Sequence, residues 1–419
     1  MTKIAIVGGG IAGCQAAITA KKLGAEVTLL ERSDSLGGCA ILAGDYRGNT
    51  GYTMAEELII LGGGDLIELC DSATIHKVEF PGESKESHVW VYDVMRFEEG
   101  LKKLIDSSEI EVRLRTRAKD IIEKRGEIKG LITDDGSTVS GDVYLETTGT
   151  SGPIEACREH GLGCAECFAR CPTFGSRISI AAKAGVKTFA KKRSNGKIGS
   201  LGAGITFAKE SIDKKIIDEL EKKGILLIPI PEDLVDYKKF EQFAIHIPHK
   251  VFVENLCLVD NGFAKVRLQM YIPLEILHKI PGFERARYID PIAGGIGNRI
   301  RGIGGIPADS FFKVKGLKNL FCGGEVSGFG GIVGAIVSGA IAGHNAVRSA
   351  LGKDGLRLPD STLIGDFLGR SLPSAGESLS LQSASYFADI KKRGLYSVER
   401  EEIRKRIEAE GLEGILEKI

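Results

Sequence analysis

Residues 3–31 read KIAIVGGGIAGCQAAITAKKLGAEVTLLE. The apolar run KIAIV predicts a short strand, and CQAAITAKKLG predicts a helix ending at Gly24. EVTLLE predicts a second strand finishing on Glu31, eighteen residues after Gly13. Between strand and helix lie Gly8, Gly10 and Gly13 in the spacing G-x-G-x-x-G, the dinucleotide-binding fingerprint of a Rossmann-like fold. Each glycine has its own task. Gly8 allows a tight turn, Gly10 lets a pyrophosphate reach the helix amino end, and Gly13 lets the helix lie close on the strand. Glu31 then stands where a carboxylate accepts hydrogen bonds from ribose hydroxyls. Cys14, in the first helical turn, reads as a small buried residue.

Working outward, residues 108–150 alternate short strands around the turn DDGS and close on YLETTG at 144–149. GLKNLFCGGEVSG, near residue 320, predicts a turn, a strand and the group Gly323, Gly324, Glu325. A chain that returns after a long insertion to a Gly-Glu pair suits FAD better than NAD. The helix expected from about Gly331 would aim its positive amino end at the flavin ring. The expected cofactor-binding set is Gly8, Gly10, Ala12, Gly13, Glu31, Arg32, Gly38, Gly149, Gly324, Glu325, Gly331 and Ile332. The resulting fold class is α/β, a Rossmann-like two-dinucleotide-binding FAD domain with an inserted α+β domain and a short helical tail. Its expected divisions are 1–150 and 290–352 for the FAD domain, 151–289 for the insertion and 353–419 for the tail, with the loop-rich stretch 352–378 as the best boundary.

Bulk composition narrows the classes. The 419 residues carry 56 basic and 56 acidic side chains, so the formal charge is zero. Nucleic-acid binders usually hold a basic surplus, which leaves a nucleic-acid partner as a candidate that the charge does not favour. The opening MTKIAIVGGG enters a strand directly, so no targeting peptide is expected and the nine cysteines are read as thiols of a reducing cytoplasm. GGIVGAIVSGAIAG, 330–343, has a membrane-like look but is too short and glycine-rich to span a bilayer.

Four cysteines fall in the spacing Cys157-x6-Cys164-x2-Cys167-x3-Cys171, with Pro172 directly after. Three thiolates from one loop and a fourth folded back across Gly161 and Gly163 suit an iron–sulfur cluster, expected as 4Fe–4S. Zinc and redox thiol chemistry stay open beside it; zinc sites more often use two separated Cys-x2-Cys knuckles, and only one is present. A one-electron carrier beside a two-electron carrier would serve stepwise transfer. The glycines 199, 202 and 204 are a weaker candidate for NAD(P)H, which stays a candidate electron donor. Arg299 and Arg301 are candidates for gripping an anion, while Cys257, Cys322 and His344 read as core.

Several stretches resemble the GidA/TrmFO flavoproteins, which modify uridines in tRNA. LKNLFCGGEVSGFGGIVGAIVSGAIAGHNAV, 317–347, is similar to that family's closing FAD motif, and LHKIPGFERARYIDP, 277–291, to the segment before it. DSLGGCAILAGDYRGNTGYTMAEELIILGG, 34–63, resembles the stretch that carries a redox cysteine, and ARCPTFGSR, 169–177, the second cysteine followed by proline. The match covers residues 1–70 and about 140–350. It implies FAD as cofactor and Cys39 and Cys171 as catalytic thiols. About 65 residues follow the closing motif, where the GidA-type members carry a long helical tRNA-docking region, and VEREEIRKRIEAEGLEGILEKI predicts one charged helix there. Two functions therefore stand. The first is an FAD-dependent oxidoreductase with an iron–sulfur cluster, acting on a small-molecule or protein-borne substrate. The second is an FAD- and folate-dependent enzyme acting on uridine in tRNA or rRNA. A homodimer is a candidate assembly, and the sequence leaves the oligomeric state open.

Overall fold

The computed structural model describes residues 1–79, 88–149, 174–175, 177–190, 200–201, 205–237, 249–266, 272–289, 300–301, 304–371 and 384–419. Its centre is a five-stranded parallel sheet. In chain order the strands are β1 (Lys3–Val7), β2 (Glu26–Leu30), β3 (Glu111–Arg113), β4 (Val143–Glu146) and β5 (Leu320–Cys322). In space they run β3-β2-β1-β4-β5, the doubly wound order whose direction reverses between β1 and β4. Ligands of such sheets bind beyond the carboxyl ends of the strands at that reversal, where the sequence puts Gly8 and Thr147.

Helix α1 (Ile11–Lys22) follows β1, and every residue from Ile11 to Ala20 is buried. The membrane-like run lies in α3 (Ile332–Ala350), which is buried from Val333 to Val347 because it packs along α1. Small residues make that approach possible: a Cβ on Gly339 would sit 2.2 Å from the carbonyl oxygen of Ala12, and one on Gly343 would sit 2.5 Å from that of Ala16. Among the described residues no helix is long and apolar enough to cross a membrane.

Helix α2 (Thr50–Ile60) lies in the chain between β2 and β3 and carries Glu56 and Glu57 into the core. A three-stranded antiparallel sheet (Ala118–Lys124, Glu127–Thr133, Thr138–Val139) sits between β3 and β4, as the alternating pattern around DDGS predicts. Farther along, Thr206–Phe207, Ile225–Pro229, Asn255–Asp260 and Ala264–Val266 form a four-stranded antiparallel sheet beside the helix Lys214–Lys223. Its own core includes Phe207, Leu220, Leu258 and Phe283. The run KVFVENLCLV, 250–259, divides between two elements, the helix His249–Glu254 and the strand Asn255–Asp260.

The tail also differs from expectation. The loop-rich stretch 352–378 contains α4 (Leu363–Ser371), followed by a helix Ala384–Lys392 and then α5 (Arg400–Ala409). Leu363, Ile364, Phe367, Ile403, Ile407 and Leu416 belong to the same hydrophobic cluster as α1 and α3. Short amphipathic helices broken by glycine and proline leave little periodicity in the sequence. Their apolar residues become legible only against the surface they cover.

Candidate functional site

The fingerprint forms the first wall of the site. Gly8 has φ of +107°, a conformation glycine adopts without penalty, and a Cβ there would lie 2.5 Å from the carbonyl oxygen of Thr147. A Cβ on Gly13 would lie 2.0 Å from the carbonyl oxygen of Gly8, so this glycine seats the helix on the strand as its position predicts. Gly10 is the amino cap of α1, has no side-chain cap, and a Cβ on it would meet nothing within 4 Å. An uncapped helix start facing open space is what a pyrophosphate needs: N–H donors, a helix dipole and room.

Glu31 stands at the end of β2, nearly buried. Its carboxylate accepts from the backbone N–H of Gly9 at 2.8 Å, from the Ser33 N–H at 2.8 Å and from the Ser33 hydroxyl at 2.6 Å. Those three donors fix its orientation beside the glycine turn and leave lone pairs for a ribose. Arg32 donates to the carbonyl of Gly175. Gly38 and Gly149 both take left-handed conformations, φ +56° and +87°.

A second wall comes from the far end of the chain. Gly324 has φ +76°, and a Cβ on it would touch the Cβ of Ala12 at 2.9 Å. Its N–H donates to the Ser338 hydroxyl at 2.8 Å, which ties this turn to α3. Glu325 follows in the same turn. Gly331, with φ +79°, is the uncapped start of α3, and Ile332 is its first residue. Both α1 and α3 thus start uncapped, and α3 begins ahead of α1: Gly339, eight residues after the cap of α3, is the residue that lies against Ala12, two residues after the cap of α1. This donor set fits a dinucleotide.

Two groups at this end of the sheet were not singled out by sequence reasoning. Thr147 donates its hydroxyl to the carbonyls of Gly8 at 2.7 Å and Val7 at 3.0 Å, locking the turn from below. Glu146 is fully buried, and burial pushes its carboxyl up against the opposing pull of Arg177 and of the Ala181 N–H. It accepts from that N–H at 2.8 Å and from the hydroxyls of Ser179 at 3.1 Å and Thr148 at 2.9 Å. Arg177 approaches it at 3.7 Å and donates through Nε to the Thr148 carbonyl at 3.1 Å. The buried carboxylate therefore pins residues 177–181 to the end of β4. An acid inside the otherwise apolar run VYLE was its only signal in the sequence.

Cys39 is half-buried at the start of the short helix Ala40–Ala43, where its carbonyl accepts from the N–H groups of Leu42 and Ala43. Its proposed partner Cys171, with Cys157, Cys164 and Cys167, lies outside the described residues, as do Gly199, Gly202, Gly204 and Arg299. Among the described residues no group of His, Cys, Asp and Glu is arranged to hold a metal ion. Cys257 and Cys322 are buried, as their strand patterns predict, and burial raises the Cys322 thiol. His344 is also buried, its Nε2 2.9 Å from the Lys418 carbonyl, so it packs rather than reacts. A depression of about 150 Å³ lined by Lys3, Glu26, Thr28, Glu111 and Arg113 lies at the amino ends of the strands. Its charges pair with one another, Lys3 with Glu26 and Arg113 with Glu111, and the ligand end of the sheet is the opposite one.

Comparison with known proteins agrees with this geometry. The family model for glucose inhibited division protein A, GidA, matches residues 3–246 and 227–354. A methylenetetrahydrofolate–tRNA-(uracil-5-)-methyltransferase TrmFO of Fervidobacterium nodosum is 30% identical over 137 residues, covering 32% of this chain and 31% of that protein. The tRNA uridine 5-carboxymethylaminomethyl modification enzyme MnmG of Endomicrobium trichonymphae is 22% identical over 411 residues, 84% of this chain and 66% of its own length. The matched stretch is thus about a third of the TrmFO relative and just under two thirds of the MnmG one. Among solved structures, GidA of Aquifex aeolicus in its form I crystal superposes with a TM-score of 0.65 at 18% identity, over 98% of this chain and 78% of that one. With the family model spanning most of the sequence, the chain belongs to the GidA family of FAD-dependent flavoproteins.

Proposed function

We propose that this protein is an FAD-dependent enzyme that places a folate-borne one-carbon unit on uridine in tRNA or rRNA. The observation that carries the reading is the match of the GidA family model over residues 3–246 and 227–354, a span that holds the uncapped starts of both α1 and α3. The names of the TrmFO and MnmG relatives support the substrate class, since both describe chemistry on tRNA uridine. When bound, FAD would supply the reducing equivalents for the transferred carbon. The chain's own part is to bind and orient. Gly10 and Gly13 would admit the pyrophosphate to the start of α1, Glu31 would take the ribose, and Arg32, Gly38 and Gly149 would border them. Gly324, Glu325, Gly331 and Ile332 would hold the ring end, and Cys39 and Cys171 would act as thiols on the substrate. The test is mass analysis of nucleosides after incubating the purified protein with FAD, reduced nicotinamide, methylenetetrahydrofolate and unmodified tRNA or rRNA. A 5-substituted uridine that depends on the folate is expected; flavin turnover with no change in any RNA overturns the reading.

One observation favours a second reading. The spacing Cys157-x6-Cys164-x2-Cys167-x3-Cys171 suits a 4Fe–4S cluster, which would make the protein an electron-transferring oxidoreductase with NAD(P)H as a candidate donor. The family names support the uridine reading over it. Anaerobic purification with iron and sulfide quantified per chain separates the two, because a chain free of iron leaves Cys171 to thiol chemistry.

A further inference from the structure

The start of α2 holds two polar side chains that nothing above uses. Thr50, the first residue of α2, is only 1% exposed, and its hydroxyl finds no hydrogen-bond partner among the described residues. Asn49, the residue before it, likewise leaves its amide oxygen buried and unpartnered. Its side chain does not cap the helix, so the oxygen is not spent on the local N–H groups that an Asn at this position usually takes. Buried polar atoms are nearly always bonded, and leaving them unmade is costly. Asn49 and Thr50 thus keep an acceptor and a hydroxyl unspent side by side at the start of α2.

Their location says which ligand. A Cβ on Gly51 would lie 3.6 Å from a methyl of Val333, in the first turn of α3, so the starts of α2 and α3 adjoin. The start of α3 faces the ring end of the cofactor in the proposed function, on which this inference rests. An amide oxygen can only accept and a hydroxyl can donate, so the pair complements a planar edge that offers an N–H beside a C=O. The pyrimidine half of a flavin ring has such an imide edge. We propose that Asn49 and Thr50 form the subsite for that edge, Asn49 accepting from the ring N–H and Thr50 donating to the neighbouring carbonyl oxygen. They are positioning residues for the flavin ring, on an element separate from both glycine walls.

The test compares FAD binding by Thr50→Val, Thr50→Ser and Asn49→Gly with the unaltered protein, read by flavin fluorescence and by the position of the visible flavin bands. Val keeps the volume of Thr and removes only its hydrogen bonding. Gly removes the amide at a backbone of φ +44°, which glycine tolerates. Affinity is expected to fall about 3- to 10-fold in Thr50→Val and in Asn49→Gly, with shifted bands, while Thr50→Ser stays within about 2-fold of the parent. If Asn49→Gly does not fold, the Val and Ser pair decides alone. Unchanged affinity and bands in Thr50→Val would overturn the subsite while leaving FAD as cofactor; a parent protein that takes up no FAD would overturn both.

Discussion

Cys14 lies in the first turn of α1 with none of its surface exposed, and its thiol donates to the Gly9 carbonyl at 3.3 Å. Burial pushes its pKa up to about 12. Each unit of that rise lowers the thiolate fraction about tenfold at neutral pH, so Cys14 is inert although it borders the site. Cys39 is half-buried and sits on a short helix start. Native-state alkylation with iodoacetamide, read by peptide mass spectrometry, should label Cys39 at least tenfold faster than Cys14, Cys70, Cys257 or Cys322, all of which are buried. Equal rates would refute the assignment of Cys39 as the accessible thiol of the described residues. At this scale the sequence already exposed Gly8, Gly10, Gly13 and Glu31, because their meaning follows from spacing. It could not expose Thr147, Glu146, Asn49 or Thr50, whose roles depend on burial and on partners far along the chain.

At the scale of elements, the contact of α1 with α3 holds the two walls together. Gly339 and Gly343 bring α3 against the carbonyls of Ala12 and Ala16, so a side chain at either position must push the helices apart. Gly339→Val should destabilise the fold by at least 1–3 kcal/mol, about what overpacking a core costs. It should also strip FAD from the purified protein, since the starts of both helices would shift. Thermal unfolding and flavin content measure the two effects; a stable variant with full flavin would mean that the approach is not needed. The strands and helices of this half were readable from KIAIV, EVTLLE and the buried run after Gly331. The helical His249–Glu254 was not, because six apolar and polar residues before a strand carry neither period clearly.

At the scale of the whole molecule, charged side chains bind the tail to the core. The fully buried Arg47 takes Asp71 through two hydrogen bonds of 2.7 and 2.6 Å and Glu56 through one of 2.7 Å, and Arg400 of α5 closes on the other oxygen of Glu56 at 2.7 Å. Glu57 accepts from the N–H groups of Leu363 and Ile364 and from Arg406. Within the tail, Asp366 takes Arg393 at 2.8 and 2.9 Å and the Tyr386 hydroxyl at 2.9 Å. Burial works to raise its carboxyl, but Arg393 and Tyr386 outweigh it and hold it below its ordinary 3.8. A depressed carboxylate contributes stability that is present above the unfolded value and lost as pH falls through the folded one. Asp366→Asn should therefore cost a constant amount in urea unfolding from pH 8 to about 5, and that cost should shrink below about pH 4. A cost that grows on acidification would reverse the sign. The tail was legible as one charged helix; the ion pairs of α5 with Glu56 and Glu57 reach back more than 340 residues, a separation no local pattern records.

The strand order has a consequence during synthesis. β4 is complete at Glu146, but its outer neighbour β5 is not made until Leu320–Cys322, and α3 follows later still. While the ribosome works through residues 147–319, the nascent sheet carries an open, apolar parallel edge, the kind of surface that pairs with other chains. The cofactor cannot close that gap early, because its second wall is encoded beyond the same point. Fragments ending between residues 147 and 319 are therefore expected to aggregate although they hold the glycine turn, which pelleting of such fragments against the full chain would measure.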